Sequence, residues 1–276
     1  MKTYLSVVVA FIYGVTSEQN LLVYQLNSVM SMSISLSILE YEPELSRNIN
    51  NLRESWAFTN IMKLVKTGRL SSIHIDVMRP PLIPNKTKFS MDLIRKLYEE
   101  FIKEINLNVH LMVSDPLSIL EEMNEFIIGD DRVKIMVTVQ VESFGSEEEA
   151  VRAIKDVRRY GYKAGIGLNL PTPEENLTES IAEAADIILV MSVPMGLGGQ
   201  KYCSEATDRI RKISKRFPNK IIEVDGGINP ETIVEALRAG ARGVVIGSYI
   251  TLSNNPIEAL LKIDNAIKSL KAHSIL

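Results

Sequence analysis

Short runs of β-branched and aliphatic residues alternate with amphipathic segments from Ser33 onward, and this alternation restricts the fold more than any other feature of the chain. Eight runs are predicted as strands, and apolar stretches such as 187–190 and 243–246 suit parallel strands that are buried on both faces. The predicted strands are Ser33–Leu39, Ser72–Met78, Asn108–Val113, Arg132–Thr138, Lys163–Asn169, Asp186–Val193, Lys220–Asp225 and Arg242–Gly247. Because no break in composition interrupts the series, the sequence predicts a single α/β domain, a (β/α)8 TIM barrel.

Helix start and stop signals lie between the predicted strands. Four pairs place a capping side chain before a proline, which suits the first turn of a helix. They are Asp115-Pro116, Thr172-Pro173, Asn229-Pro230 and Asn255-Pro256. Ser146 before three glutamates predicts a fifth start, and Gly161 and Gly240 stand where helices would end. A doubly wound open sheet is the alternative, but it would usually have fewer strands and a Gly-x-Gly-x-x-Gly turn after the first one.

Residues that can bind a metal stand at the ends of three predicted strands. His74 and Asp76 lie two apart, so they share one face of a strand, while His110 and Asp225 belong to two other strands. In a barrel these ends meet at one mouth, where the chemistry takes place. Two imidazoles and two carboxylates suit a divalent cation such as zinc, manganese or iron, and a carboxylate there can also move protons. Buried core histidines are the alternative, although two of the three histidines in the chain fall in this set.

Glycine-rich stretches follow the sixth, seventh and eighth predicted strands. They are Met195–Gln200, Asp225–Gly227 and Gly247-Ser248. Glycine permits close approach of the backbone, so clustered N–H groups can hold an anion, and barrels often bind phosphate after strands seven and eight. A single turn glycine is common, but three clusters after three consecutive strands favour a phosphorylated ligand.

Charge and cysteine content exclude several classes of partner. The net charge of −3 and the pI near 5.8 show no basic excess, so nucleic acid and anionic membranes are poor default partners. The single cysteine, Cys203, rules out an intramolecular disulfide and fits a reducing compartment. We therefore expect a cytoplasmic protein that binds a small molecule, and we expect it to form a homo-oligomer.

The first 32 residues differ from the rest of the chain. Lys2 precedes an apolar stretch at 4–15 that looks like the core of a signal peptide, but the cleavage region is poor and a membrane span needs roughly 20 apolar residues. Alternatively, translation starts at Met30 or Met32. We interpret residues 1–32 as a dispensable extension and residues 33–276 as the catalytic domain.

Together these motifs resemble the ribulose-phosphate 3-epimerases, phosphate-binding (β/α)8 barrels that interconvert ribulose 5-phosphate and xylulose 5-phosphate. The resemblance runs from about Ser37 to about Thr251. It implies one divalent metal (Zn, Fe, Mn or Co) on His74, Asp76, His110 and Asp225, with Asp76 as proton acceptor and Asp225 as proton donor on the opposite face. Residues that would contact the sugar phosphate are Ser37, His110, Gly196, Leu197, Gly198, Gly199, Gly226, Gly227, Gly247 and Ser248. Methionines that would crowd the site are Met78, Met112 and Met191, although core packing explains them as well.

Such an enzyme removes a proton from one face of the carbon next to a ketone and delivers another to the opposite face. The enediolate formed between these steps carries negative charge, which a metal stabilises as a Lewis acid. The resemblance thus implies an isomerase of carbohydrate metabolism, in the pentose phosphate pathway.

Three stretches depart from the family pattern. Arg79–Asn85 stands where the family has an acid and an aromatic residue before Val-Pro-Asn, Gln140-Val141-Glu142 replaces His-x-Glu, and Pro194-Met195 replaces Asn-Pro. These changes permit another ketose phosphate, such as allulose 6-phosphate, or reduced activity. A decarboxylase or synthase acting on hexulose phosphates is disfavoured, because 76–81 lacks the lysine and second acid of Asp-x-Lys-x-x-Asp. A non-catalytic phosphate-binding barrel stays open.

Overall fold

The computed structural model describes residues 32–273, and these form a closed barrel of eight parallel strands. The strands follow one another around the barrel in chain order, and the eighth pairs with the first. They are β1 (Ser33–Ser37), β2 (Ser72–Met78), β3 (Asn106–Met112), β4 (Ile135–Gln140), β5 (Lys163–Leu168), β6 (Ile187–Met191), β7 (Ile221–Asp225) and β8 (Gly243–Ile246). The predicted TIM barrel is confirmed. All of the predicted extension except Met32 lies outside the described residues.

Helices connect the strands. They are α1 (Glu42–Arg47), α2 (Trp56–Val65), α3 (Met91–Phe101), α4 (Pro116–Asn124), α5 (Glu147–Arg159), α6 (Glu179–Ala184), α7 (Glu205–Arg216), α8 (Thr232–Ala239), α9 (Ser248–Thr251) and α10 (Pro256–His273). Shorter 3-10 segments are Leu39–Tyr41, Ile49–Glu54, Gly129–Lys134, Val141–Ser143 and Glu174–Asn176. Within residues 32–273, none of the helices combines the length and the apolar character that crossing a membrane requires.

Most of the predicted helix signals act as expected. Asp115 Oδ1 accepts a hydrogen bond from the backbone N–H of Ser118 (3.2 Å), and Ser146 Oγ accepts one from Glu149 (3.2 Å). Gly240 ends α8 with a positive φ of 112°, a conformation that favours glycine.

The helix predicted to start at Thr172-Pro173 is wrong. Only the short 3-10 segment Glu174–Asn176 follows, and α6 begins after Thr178, whose Oγ1 accepts from the N–H of Ile181 (3.3 Å). The guanidinium of Arg209 donates to the carbonyl oxygens of Leu170 and Thr172, and this contact holds the stretch as a loop.

The predicted start of the fourth strand is also wrong, whereas the other strand bounds agree within two residues. Arg132 belongs to a 3-10 segment, where its guanidinium donates to the carbonyl oxygens of Tyr160 (3.0 Å) and Ile127 (3.3 Å). The strand instead runs on to Gln140, which pairs in register with Gly167 on β5. This brings Gln140 to the end of the barrel that carries the site.

Two layers of buried residues position the functional end of the barrel. Along β2 the residues Ile73, Ile75 and Val77 alternate with polar ones and are fully buried, each contributing about 1.5–3 kcal/mol through its removal from water. Inside the barrel, Glu223 accepts hydrogen bonds from Ser35 Oγ (2.9 Å) and Asn108 Nδ2 (3.0 Å). Since all three are buried, this network forms a polar layer inside the barrel at Glu223, two residues before Asp225 on β7.

Candidate metal centre

The four predicted metal-binding residues converge at the carboxyl ends of β2, β3 and β7. One ligand atom from each of His74, Asp76, His110 and Asp225 lies within 4.8 Å of every other. The pairing of β2 with β3 places Asp76 beside His110, and Asp225 is the last residue of β7. Convergence therefore follows from parallel strand register, because residues three strands apart in space still share one mouth of a closed barrel.

Side-chain donors in this cluster point at a common centre. Asp76 Oδ1 lies 3.2 Å from His74 Nε2 and 3.2 Å from His110 Nδ1, and the two imidazole nitrogens are 3.4 Å apart. Asp225 Oδ2 lies 3.9 Å from His74 Nε2. Two imidazole nitrogens turned toward each other and toward two carboxylates form a nitrogen–oxygen donor set that fits a divalent first-row cation.

Without a bound cation, burial and the neighbouring charges shift the pKa values of the residues in this cluster. Burial lowers the pKa of His74, but Asp76 and the other nearby carboxylates outweigh burial and raise that pKa to about 9. For Asp76, burial is opposed by the two imidazoles, which hold its pKa well below the usual range. Burial, followed by the charge of Asp76, raises the pKa of Asp225 to about 8. Burial also lowers the pKa of His110 and raises that of Glu223.

Gln140, which replaces the histidine of the family pattern, contacts the cluster directly. With its amide oriented to satisfy its surroundings, Oε1 accepts from His110 Nε2 (2.7 Å), while Nε2 donates to the carbonyl oxygen of Gly167 (3.0 Å) and to Glu142 Oε2 (2.7 Å). The His110 proton is thereby held on Nε2, which leaves Nδ1 free to bind a cation. The sequence marked Gln140 only as a departure from the family.

Glu142 helps to hold the loop that follows β6. Its Oε1 accepts a hydrogen bond from the backbone N–H of Asn169 (2.9 Å), and Asn169 Oδ1 in turn accepts from the N–H of Met195 (2.9 Å). Through these two bonds, Glu142 anchors the start of the glycine-rich loop after β6.

A pocket opens beside the cluster and gathers the predicted substrate residues. Ser37 donates a hydrogen bond to Asp76 Oδ2 (2.8 Å), so β1 contributes to the same wall. The predicted residues that line the pocket are Ser37, Asp76, Met78, Met112, Met191, Gly196, Leu197, Gly198, Gly199, Asp225, Gly226, Gly227, Gly247 and Ser248. His74 and His110 are fully buried behind this wall, with Asp76 and Asp225 between them and the open space.

Met78, Met112 and Met191 both pack in the core and line the pocket, the two roles considered from the sequence. Met78 and Met112 pack with Ile83 in one buried cluster, and Met191 packs with Val193 in another. All three methionines also line the pocket. Their flexible apolar side chains form part of the pocket wall beside Asp76 and Asp225.

The glycine loops present backbone donors to the pocket. Gly196, Gly199, Gly226 and Gly227 all have positive φ, which other residues adopt only with strain. No residue within 32–273 accepts a hydrogen bond from the backbone N–H of Gly198, Gly199, Gly226 or Gly227. Unpaired N–H groups on consecutive loop residues form a cradle for an anion.

Among the charged residues that line the pocket, sequence reasoning missed Glu40. It lies directly after β1, in the 3-10 segment Leu39–Tyr41, and its carboxylate accepts a hydrogen bond from Thr251 Oγ1 (3.1 Å). Burial raises the pKa of Glu40. Its position directly after the predicted end of the first strand was the available signal, since the other site residues stand at or near strand ends.

The chain matches the model of a known protein family. Residues 45–251 match the model of the "Ribulose-phosphate 3 epimerase family". The ribulose-phosphate 3-epimerase of Synechocystis sp. is 34% identical over 211 residues, which cover 74% of this chain and 86% of that protein. The Bacillus subtilis enzyme of the same name is 32% identical over 202 residues (70% and 86%). A rice protein named as the cytoplasmic isoform is 29% identical over 198 residues (71% and 82%).

Solved structures match the same architecture. The 3-hexulose-6-phosphate synthase of Salmonella typhimurium aligns with a TM-score of 0.60 at 19% identity, covering 87% of this chain and all of that one. The orotidine 5'-monophosphate decarboxylase of Metallosphaera sedula aligns with a TM-score of 0.54 at 14% identity, covering 87% and 99%. At these identities the likeness concerns the fold alone.

Proposed function

The chain belongs to the ribulose-phosphate 3-epimerase family, and from this membership we propose that it is a metal-dependent 3-epimerase that interconverts D-ribulose 5-phosphate and D-xylulose 5-phosphate. The observation that carries the proposal is the convergence of two imidazoles and two carboxylates at the mouth of the barrel, with both carboxylates facing the pocket. An epimerase needs two proton carriers there, and Asp76 and Asp225 would provide them within this cluster.

His74, Asp76, His110 and Asp225 would hold one divalent cation, of which zinc, iron, manganese and cobalt suit the donor set. When bound, the cation would act as a Lewis acid toward the oxygens of the ketose. Gln140 would hold His110 in the tautomer that offers Nδ1, and Ser37 would fix the second oxygen of Asp76.

Asp76 and Asp225 would carry the protons. They stand on β2 and β7, which β1 and β8 separate, so they border the pocket from different sides. In the proposed mechanism Asp76 Oδ2 or Oδ1 takes the proton from carbon 3 on one face, and Asp225 delivers a proton to the opposite face. Because two carboxylates beside one cation titrate together, the roles of proton acceptor and proton donor are assigned to the pair more firmly than to either residue.

The far end of the sugar would lie among the glycine loops. The free N–H groups of Gly198, Gly199, Gly226 and Gly227 form the anion cradle, to which Gly247 and Ser248 add the end of β8. Binding of the phosphate there contributes remote binding energy that positions carbon 3 between the two acids. Met78, Met112 and Met191 would line the middle of the pocket and keep water from the enediolate.

The protein would work as a cytoplasmic homo-oligomer whose catalytic unit is the barrel from residue 33 onward. Its acidic pI and single cysteine fit that setting. Light scattering after size exclusion tests the assembly, and a monomer at micromolar concentration would contradict it.

A coupled assay tests the activity. Ribulose 5-phosphate and allulose 6-phosphate are offered in parallel to the purified protein, to chelator-treated protein and to protein resupplied with each of the four cations. We expect turnover of ribulose 5-phosphate that chelation abolishes and a cation restores. If allulose 6-phosphate is turned over faster, the reaction class stands and the substrate changes. Metal-replete protein that turns over neither sugar would contradict an epimerase.

A further inference from the structure

Glu40 places a third carboxylate inside the proposed phosphate cradle. Its Oε2 lies 3.3 Å from the position that a Cβ on Gly247 would take, and a Cβ on Gly198 would overlap with its Oε1. Thr251 Oγ1 donates to the same Oε2 at 3.1 Å. The carboxylate is therefore held between the glycine loop after β6 and the end of β8, where the phosphate of the substrate would lie.

Among the described residues, no lysine or arginine lines the pocket to offset the charge of Glu40. The residues that line the pocket include three carboxylates (Glu40, Asp76 and Asp225) but no lysine or arginine. A divalent cation on the four ligands would neutralise Asp76 and Asp225, whereas Glu40 is not one of those ligands. Lys86 donates from Nζ to the carbonyl oxygen of Gly196 (2.7 Å), and this contact ties it to the backbone of the loop.

Hydrogen-bonding chemistry distinguishes the ligands that this cradle accepts. A phosphate dianion and an ionised carboxylate both offer only acceptors, so they repel each other and neither can donate a hydrogen bond to the other. A terminal hydroxyl instead donates to the carboxylate of Glu40 and accepts from the glycine N–H groups. The glycine loops thus favour an anion, and Glu40 opposes it.

We propose that Glu40 is a specificity-determining residue, which weakens the binding of a phosphate dianion and shifts the preference of the site toward ketoses whose terminal hydroxyl is not phosphorylated. The inference rests on the proposed function for the placement of the sugar.

The test compares Glu40→Gln with the wild type, using the full-length, metal-loaded protein. Glutamine keeps the shape of the side chain and its contact with Thr251 but removes the charge. Calorimetric titration measures the affinity for inorganic phosphate, and steady-state kinetics measure kcat/KM for ribulose 5-phosphate and for D-ribulose. We expect Glu40→Gln to tighten phosphate binding about tenfold and to raise the ratio of kcat/KM for ribulose 5-phosphate over D-ribulose by about the same factor.

Glu44→Gln is the matched control, because Glu44 carries the same charge on α1 but does not line the pocket. It pairs with Arg47 (3.3 Å) and Asn48 (2.9 Å), and its neutralisation should change neither measurement by more than about twofold. If Glu40→Gln destabilises the barrel, Glu40→Ser also removes the charge, leaves more space in the cradle, and is tested by the same two measurements.

The outcomes separate this inference from the proposed function. Unchanged phosphate affinity in a folded Glu40→Gln protein, or an equal gain with Glu44→Gln, overturns the inference even when the enzyme epimerises ribulose 5-phosphate. Tighter phosphate binding in Glu40→Gln by a protein that epimerises neither sugar supports the role of Glu40 and overturns the function.

Discussion

His110 Nε2 and Gln140 Oε1 lie 2.7 Å apart, and this contact determines which nitrogen of the imidazole faces the metal cluster. The amide oxygen accepts the Nε2 proton, so Nδ1 of the neutral ring keeps its lone pair and can bind a cation on the side of Asp76, whose Oδ1 is 3.2 Å away. Gln140 is itself held by Gly167 and Glu142, which explains how a substitution relative to the family pattern preserves the ligand geometry.

Replacing Gln140 by leucine should weaken metal binding. The His110 proton then loses its acceptor, and both tautomers of the ring become accessible. We expect an affinity about 10–100-fold lower, measured by competition with a chromogenic chelator. Thr138→Val is the control, because Thr138 lies on the same strand and pairs with His110 across the sheet, but its hydroxyl donates only to Asn108 (3.5 Å) and to none of the four proposed ligands. Equal affinities of wild type and Gln140→Leu would show that Gln140 does not orient the ring.

Alanine at either proposed imidazole ligand should remove metal before it affects folding. His74→Ala and His110→Ala each delete one of four donors, so we expect metal content and turnover to fall together by at least about tenfold. Metal analysis after dialysis provides the measurement. His273→Ala removes the remaining histidine of the chain, which belongs to α10, and should retain wild-type metal content. Full occupancy in both site variants would remove these residues from the ligand set.

Metal affinity should rise with pH between about 7 and 9. In the metal-free protein the pKa of His74 is about 9 and that of Asp225 about 8, so both groups hold a proton at pH 7. A cation must displace these protons, which makes binding release protons and become tighter as pH increases through the two pKa values. Calorimetry in two buffers of different ionisation enthalpy counts the protons released. Affinity that is independent of pH across this range would contradict the protonation states assigned to the cluster.

Local patterns in the sequence predicted the architecture and the ligands but not the long-range contacts. Spacing by two placed His74 and Asp76 on one face, and barrel topology then required His110 and Asp225 to join them. The position of Glu40 after the first strand did not reveal its role, because that role depends on Thr251, 211 residues further along the chain. The fourth strand was misplaced since Arg132 is held in a 3-10 segment by carbonyl oxygens that only the folded barrel supplies.

Deletion of residues 1–31 should leave a folded and active barrel. β1 begins at Ser33, and its pairing with both β2 and β8 involves residues from Ser33 onward. We expect a protein that starts at Met32 to melt within about 4 °C of the full-length protein, as follows from a loss below 1 kcal/mol, and to keep its metal content and turnover. If the truncated protein aggregates or loses activity, the first residues are part of the catalytic unit.

Isotope exchange at carbon 3 of the substrate tests the two-acid mechanism most directly. It is followed by NMR in D2O, with Asp76→Asn and Asp225→Asn proteins whose metal occupancy is measured and restored with excess cation. For Asp76→Asn we expect very slow exchange, because the base is gone. For Asp225→Asn we expect deuterium to enter one epimer while formation of the other collapses, because one face still loses and regains its proton. Epimerisation by metal-replete Asp225→Asn at the wild-type rate would contradict the account.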